Sequence, residues 1–193
     1  MKLLLDTHIV LWAAGQPEKL SESARTLLTI HILAFLQFLV FRLDSIIPAA
    51  VFEEVVNQDT IEKFPDAKSI SVMTSQGNIE IFSKELPDRK PPLTLGKGEW
   101  AAIRLAQEMG EGAILATDDG KAIKTCRFLN LPFIISPKIA TELYRHGCIE
   151  KPLAKAAIEK MRIEGQYAPD IIAEALLILK EMGNVETGNR EDT

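Results

Sequence analysis

The residues best suited to chemistry are acids at the ends of short apolar runs. Asp6 follows a run of three leucines, and the pair Asp118-Asp119 follows Ala-Ile-Leu-Ala-Thr at residues 113–117. In open α/β sheets ligands bind beyond the carboxyl ends of the strands, so these acids are candidate site residues. Adjacent carboxylates repel each other, and a hard divalent cation with oxygen ligands relieves that repulsion. The competing interpretation is a solvated turn, because Asp-Asp-Gly is also good turn and N-cap chemistry.

Two further acids lie in apolar segments with helical character. Glu54 belongs to residues 51–56, where one face is apolar, so one of Glu53 and Glu54 must lie near the protein body and the other in solvent. Glu99 lies in the first turn of a nearly all-apolar helix that we expect to be buried. The helix dipole favours a carboxylate at that position, so Glu99 has a structural explanation as well as a ligand one.

Apolar runs and helix breakers predict the elements that must position these acids. Strands are predicted at residues 2–5, 46–48, 79–82, 113–117 and 133–135, and helices at 49–56, 99–109, 120–129, 138–146, 153–164 and 168–182. Residues 57–96 carry many prolines and glycines, which predicts irregular chain around the one strand. Strands that alternate with helices imply an α/β fold, a three-layer α/β/α domain with a central parallel sheet and extra C-terminal helices.

Composition limits the classes of function. The chain has 193 residues, 22 basic against 27 acidic side chains, a net charge of −5, 47% hydrophobic residues and two cysteines. These values exclude a disordered chain, a disulfide framework and a four-cysteine zinc site. They predict one domain with a C-terminal elaboration. An acidic chain cannot hold nucleic acid by bulk charge, so such a function needs a local basic patch or bound cations.

The N-terminal part of the sequence bears on location and assembly. Asp6 comes too early for a signal peptide, which predicts a cytoplasmic protein. Residues 26–41 are uncharged but fall short of the ~20 residues that span a bilayer, so no membrane contact is expected. Phe35, Phe38 and Phe41 recur at helical spacing in this segment, as core packing or as a self-association face.

Four segments, in order along the chain, resemble the PIN domain, a metal-dependent nuclease family that includes the toxins of VapBC-type toxin–antitoxin pairs. The segments are LLDTHIVLW at 4–12 with Asp6 and Thr7, IPAAVFEEV at 47–55 with Glu54, GEWAAIRLA at 98–106 with Glu99, and ATDD at 116–119. The third contains the Gly-Glu-x-x-Ala-Ile motif of the family. Some PIN-like proteins also continue with C-terminal helices like those expected after Gly147.

The resemblance implies a ribonuclease with Mg²⁺ or Mn²⁺ held by Asp6, Glu99 and an acid of the Asp118-Asp119 pair. Glu54 would help directly or through water. A Thr-x-Asp pattern selects Asp119 as the ligand, whereas an acid directly at the strand end selects Asp118, and both remain candidates. The implied chemistry is hydrolysis of an RNA phosphodiester bond by metal-activated water.

Further expectations follow from the same resemblance. The protein is expected to be a homodimer and the toxin of a toxin–antitoxin pair, with an antitoxin protein as partner. Thr7, Thr117, Lys121 and Lys124 are the candidate RNA-binding residues near the acids. The predicted domains are a nuclease domain at 1–147, a helical extension at 148–182 that packs on it, and a polar, disordered tail at 183–193.

Two other interpretations remain. A PIN-like fold can bind RNA or a protein without cutting anything, since fold does not determine function. Gly96-x-Gly98-x-x-Ala101 formally matches a dinucleotide-binding pattern, with Asp118 about 20 residues further on. That pattern should emerge directly from a strand, and here it follows a proline-rich stretch, which disfavours it.

Overall fold

The computed structural model describes residues 2–5, 44–63, 65–164 and 167–188, and the structural statements below concern these residues. The chain forms two compact units, Met1–Ile134 and Ile135–Thr193. Asp6, Thr7 and the Phe35, Phe38, Phe41 stripe lie outside the described residues, so the predictions made for them stay predictions.

The first unit contains a five-stranded, all-parallel sheet. Its strands are β1 (Lys2–Leu5), β2 (Asp44–Pro48), β3 (Ile79–Phe82), β4 (Ala113–Ala116) and β5 (Phe133–Ile134). The strand order is β3-β2-β1-β4-β5. The central strands are short apolar runs buried on both faces, as is typical of parallel sheets. Leu5 pairs with Ala116, so the residues that precede Asp6 and Thr117 in the chain share one level of the sheet.

Helices connect and cover these strands. The first unit has α1 (Ala49–Val55), α2 (Gln58–Lys63), α3 (Pro65–Ser75), α4 (Lys97–Met109) and α5 (Gly120–Phe128). Helix α4 contacts β1, β2 and β4 as well as α1. Its apolar face, which includes Ile103 and Leu105, joins Leu4, Ile46 and Leu115 in one buried cluster. This burial places the first turn of α4 beside α1, the helix that leaves the carboxyl end of β2.

The described part of the second unit contains three helices, α6 (Ser136–Arg145), α7 (Lys151–Glu164) and α8 (Pro169–Gly188), each of which contacts the other two. Ile158, Met161, Ile172 and Leu179, on α7 and α8, are buried. Helix α8 runs to Gly188, six residues beyond its predicted end. The unit begins at Ile135, whereas the predicted domain boundary lies after residue 147, and that domain assignment stays a prediction. No helix among the described residues is both long and apolar enough to cross a membrane.

The prediction of an α/β fold with a parallel sheet flanked by helices is confirmed. The prediction of irregular chain across residues 57–78 was wrong, because α2 and α3 occupy most of it. Pro65, one of the prolines in this stretch, is the first residue of α3, where proline's missing N–H breaks no intrahelical bond. Asn57 and Thr60 form a reciprocal pair of backbone-to-side-chain hydrogen bonds at the start of α2, a capping box.

Candidate active site

The first turn of α4 is where two of the predicted acids come together. Its N-cap is Gly96, which has no side chain to bond the free N–H groups of the turn. The Gly98 N–H instead donates to Oε1 of Glu54 at 3.2 Å, across 44 residues of sequence. Glu54 reaches this point because α1 follows β2 directly and contacts α4. A carboxylate here is also favoured by the positive end of the α4 dipole.

The neighbouring glutamate points elsewhere, as the apolar face of the segment predicts. Glu53 is exposed, and its Oε2 lies 3.6 Å from Nζ of Lys97, which is exposed as well. An ion pair between two solvated side chains contributes little to stability. Of the two glutamates, Glu54 is therefore the one that belongs to the candidate site.

Glu99 turns back over the start of its own helix. The residue is buried, with 8% of its surface exposed, and its carboxylate lies against Gly96. A Cβ at position 96 would overlap Oε2 of Glu99 and lie 2.9 Å from its Cδ. Gly96 has φ −64°, a value open to any residue, so its backbone does not require glycine. The space that Gly96 leaves open is the space that the Glu99 carboxylate fills.

The turn between β4 and α5 positions the second group of acids. Asp119 is the N-cap of α5, and its Oδ1 accepts the N–H groups of Lys121 at 2.9 Å and Ala122 at 2.7 Å. The Asp119 N–H donates to Oγ1 of Thr117 at 3.3 Å. Asp118 lies between these two residues and is partly exposed. Both aspartates thus stay candidates, with Asp119 already engaged in capping the helix.

The candidate RNA-binding residues in this region differ in exposure. Lys121 and Lys124 are exposed on α5. Thr117 is fully buried, so its hydroxyl is a structural part of the turn that holds Asp119.

Two side chains absent from the predicted site, Trp100 and Arg104, bind the segment at 83–96 to α4. Trp100 Nε1 donates to the Arg89 carbonyl at 2.8 Å, and an Arg104 guanidinium N–H donates to the Pro87 carbonyl at 3.1 Å.

The segment at 83–96 also argues against the dinucleotide-binding interpretation of Gly96 and Gly98. Residues 83–96 contain no strand, so Gly96 and Gly98 do not follow a strand directly as a dinucleotide fingerprint requires. The two glycines have other uses in this fold, since one makes room for Glu99 and the other binds Glu54. The Gly-x-Gly-Glu spacing is a sequence signal for the first use only, because Glu54 lies 44 residues from Gly98.

The donor set fits a hard divalent cation. All the candidate ligands are carboxylates, and oxygen ligands of this kind suit Mg²⁺ and Mn²⁺. Within the described residues, no group of three or more acidic, histidine or cysteine side chains could by itself hold a metal ion. Asp6, which the resemblance names as a ligand, is outside these residues.

Comparison with known proteins identifies the class of fold. A family model described as a PIN domain matches residues 25–182, well over half of the chain, and the chain therefore belongs to the PIN-domain family. The matched range contains Glu54, Glu99 and the Asp118-Asp119 pair. PIN domains are typically nucleases, and they generally use divalent metals. A search of curated proteins finds no match to this chain.

Proposed function

We propose that this protein is a metal-dependent endoribonuclease that hydrolyses RNA phosphodiester bonds. The observation that carries the proposal is that Glu54, from α1, binds the first turn of α4, the turn that contains Glu99. Carboxylate oxygens of this kind are ligands that Mg²⁺ and Mn²⁺ prefer. Membership of a family of nucleases supports the same interpretation.

Asp6, Glu99 and one or both of Asp118 and Asp119 would hold Mg²⁺ or Mn²⁺, and Glu54 would assist directly or through water. When bound, such a cation polarises the phosphodiester and provides an activated water for attack. Glu54 keeps the Gly98 N–H occupied and so holds the start of α4 against α1. Thr7, Lys121 and Lys124 would contact the RNA, and Thr117 would act through the turn that it holds.

The test is cleavage of a labelled single-stranded RNA by the full chain with Mn²⁺, Mg²⁺ or EDTA, with single-stranded DNA of the same sequence in parallel. We expect metal-dependent cutting of RNA that is lost in Asp6→Asn and in Glu99→Gln. Mn²⁺ binding, measured by calorimetry, should weaken in both variants because each loses a negative ligand. Loss of activity with unchanged metal binding would remove these residues from the ligand set.

Glu108→Gln is the matched control for Glu99→Gln, since Glu108 is an exposed glutamate on the same helix. It should retain full cleavage and metal binding. If the wild type neither cuts nucleic acid nor binds Mn²⁺, the nuclease proposal fails, and the chain is instead a non-catalytic PIN-like module that binds RNA or protein.

The proposed biological setting is that of a cytoplasmic toxin with an antitoxin partner. The homodimer proposal rests on the family resemblance and on the stripe of Phe35, Phe38 and Phe41. A monomeric mass by light scattering at micromolar concentration would contradict the homodimer. Growth arrest on expression of the wild type, absent for Glu99→Gln, is the outcome expected of a toxin.

A further inference from the structure

The outward face of α5 carries only cations and one large aromatic side chain. Ala122, Thr125 and Cys126 are buried on the inner face. Lys121, Lys124, Arg127 and Phe128 are exposed. At 100° per residue these four side chains share one side of the helix, and at 1.5 Å per residue they extend over about 10 Å from the turn that holds Asp119.

This face is positively charged, although the protein as a whole is acidic. Acidic residues make up 27 of the 193 positions, about one in seven, yet none occurs from residue 120 to residue 141. The cations at Lys121, Lys124 and Arg127 therefore stand without neutralising acids in α5, in a chain of net charge −5. Lys121 also lies in the first turn of the helix, where the dipole disfavours a positive charge.

Next to its cations, the face carries an exposed aromatic ring, Phe128, and an arginine, Arg127, whose side chain is held in place. Phe128 is 73% exposed, an unfavourable position for a large apolar ring at the end of a cationic helix. The Arg127 guanidinium lies over the ring of Phe133 on β5, 5.7 Å from its centroid. Such a cation–π contact holds the planar group in place and pre-organises its donors for a phosphate.

We propose that this face of α5 binds single-stranded RNA, with phosphates on Lys121, Lys124 and Arg127 and one unstacked base on the ring of Phe128. The inference deepens the proposed function, because it assigns the path by which an RNA strand reaches the acids at the start of α5. Cations interleaved with an exposed aromatic ring are the pattern by which proteins hold single strands.

RNA suits this face better than a protein partner does. Protein interfaces are depleted in lysine, whereas here two lysines accompany the aromatic ring. A single strand can turn a base out to stack on the ring, which paired RNA cannot do without unpairing. The face should therefore prefer single-stranded over double-stranded RNA.

The first experiment measures binding without cleavage. The full chain is titrated into a fluorescein-labelled single-stranded RNA in EDTA, and fluorescence anisotropy gives the dissociation constant. We expect Phe128→Ala to weaken binding by about tenfold, within a range of roughly 5- to 100-fold, as stacking of one base predicts. Phe128→Trp should restore binding. Leu177→Ala is the control, because Leu177 is also an exposed apolar side chain, 53% accessible.

The second measurement separates phosphate contacts from stacking. Each phosphate contact on a single strand adds about −0.7 to the slope of log K against log salt concentration. Lys124→Gln and Arg127→Gln should each make that slope shallower by about 0.7, while Phe128→Ala lowers affinity and leaves the slope unchanged. Lys155→Gln, at an exposed lysine of α7, should change neither quantity.

The outcomes distinguish this inference from the nuclease proposal. Cleavage by the wild type together with unchanged RNA affinity in Phe128→Ala would overturn the inference alone. Binding that depends on Phe128 without any cleavage would support the inference and overturn the nuclease. A Phe128→Ala variant with normal RNA affinity but a changed mass by light scattering would assign the ring to a protein contact and also overturn the inference.

Discussion

The first turns of α4 and α5 hold their acids in opposite ways. In α5 the cap is local: Asp119 accepts N–H groups from residues two and three positions further on. In α4 the cap position is a glycine, and the Gly98 N–H is bound by Glu54 from a helix 44 residues away. One acid thus needs only its own stretch of chain, whereas the other reaches its place only after β2, α1 and α4 have assembled.

The difference shows that one site can combine a contact that forms within a single helix with a contact that forms only when distant elements pack together. A local cap forms with its helix, because donor and acceptor are joined by a few residues. A non-local contact first requires closure of a long loop, which is entropically costly. The position of Glu54 therefore reports on the tertiary fold, and changes at the start of α4 should affect function more than changes of similar size at the start of α5.

The largest expected effect is that of Gly96→Ala. The backbone at 96 accepts alanine, but the added Cβ would occupy the space of the Glu99 carboxylate and displace it. Displacement of a catalytic group by about 1 Å can cost on the order of 100-fold in rate, and we expect a loss of that size in RNA cleavage. Mn²⁺ affinity by calorimetry should fall in the same variant.

Gly120→Ala is the matched control for this change. Gly120 is the first residue of α5, and a Cβ there would meet no atom within 4 Å. The variant should cleave RNA and bind Mn²⁺ as the wild type does. If Gly96→Ala behaves in the same way as Gly120→Ala, the position of the Glu99 carboxylate in this structure is not the one that matters for activity.

A smaller effect is expected at Asp119, and it concerns stability. Asp119→Ala removes the acceptor for two N–H groups and should lower the free energy of unfolding by about 1 kcal/mol, the usual cost of losing an N-cap. Asp119→Asn keeps an acceptor oxygen and should remain near wild-type stability in urea denaturation. Equal losses in the two variants would contradict the capping role.

The same pair of variants informs the choice between Asp118 and Asp119. If Asp119 is also a metal ligand, Asp119→Asn should be stable but weak in Mn²⁺ binding and cleavage, because a neutral amide is a poorer ligand for a hard cation. If Asp118 is the ligand, Asp118→Asn should show that pattern and Asp119→Asn should not.

The smallest expected effect is the difference in stability between variants of two adjacent glutamates. Glu54→Ala removes the acceptor of the Gly98 N–H and should cost about 1 kcal/mol of stability, as for a partly exposed hydrogen bond to a charged group. Glu53→Ala removes only an exposed ion pair with Lys97 and should cost less than about 0.5 kcal/mol. Urea denaturation of both variants measures the difference. Equal costs would mean that the Glu54–Gly98 hydrogen bond adds no more stability than the exposed ion pair.

The strands and most helices were predictable because their signals are local. The apolar run at β1 and the strand at residues 79–82 match their predicted bounds, and α4 and α5 begin within two residues of prediction. Helices α2 and α3 differ from the prediction because a proline breaks a helix interior but is accepted at its first residue, where Pro65 lies, and because Asn57 and Thr60 cap α2. Both signals are present in the sequence.

The candidate site was predictable in its residue types and only partly in its geometry. Acids after apolar runs indicated the edge of a parallel sheet, and the sheet order places β1 and β4 side by side there. The burial of Thr117 and the anchoring role of Arg104 were not predictable, because both depend on side chains and carbonyls brought in by other elements.

By itself the sequence determined the alternation of strands and helices, the family resemblance, and the cap that Asp119 provides for α5, since each depends on residues a few positions apart. Only the tertiary structure decided that Glu54 rather than Glu53 meets α4. The physical reason is that parallel strands pair across long connections, so contacts at their carboxyl ends join residues whose proximity no local pattern encodes.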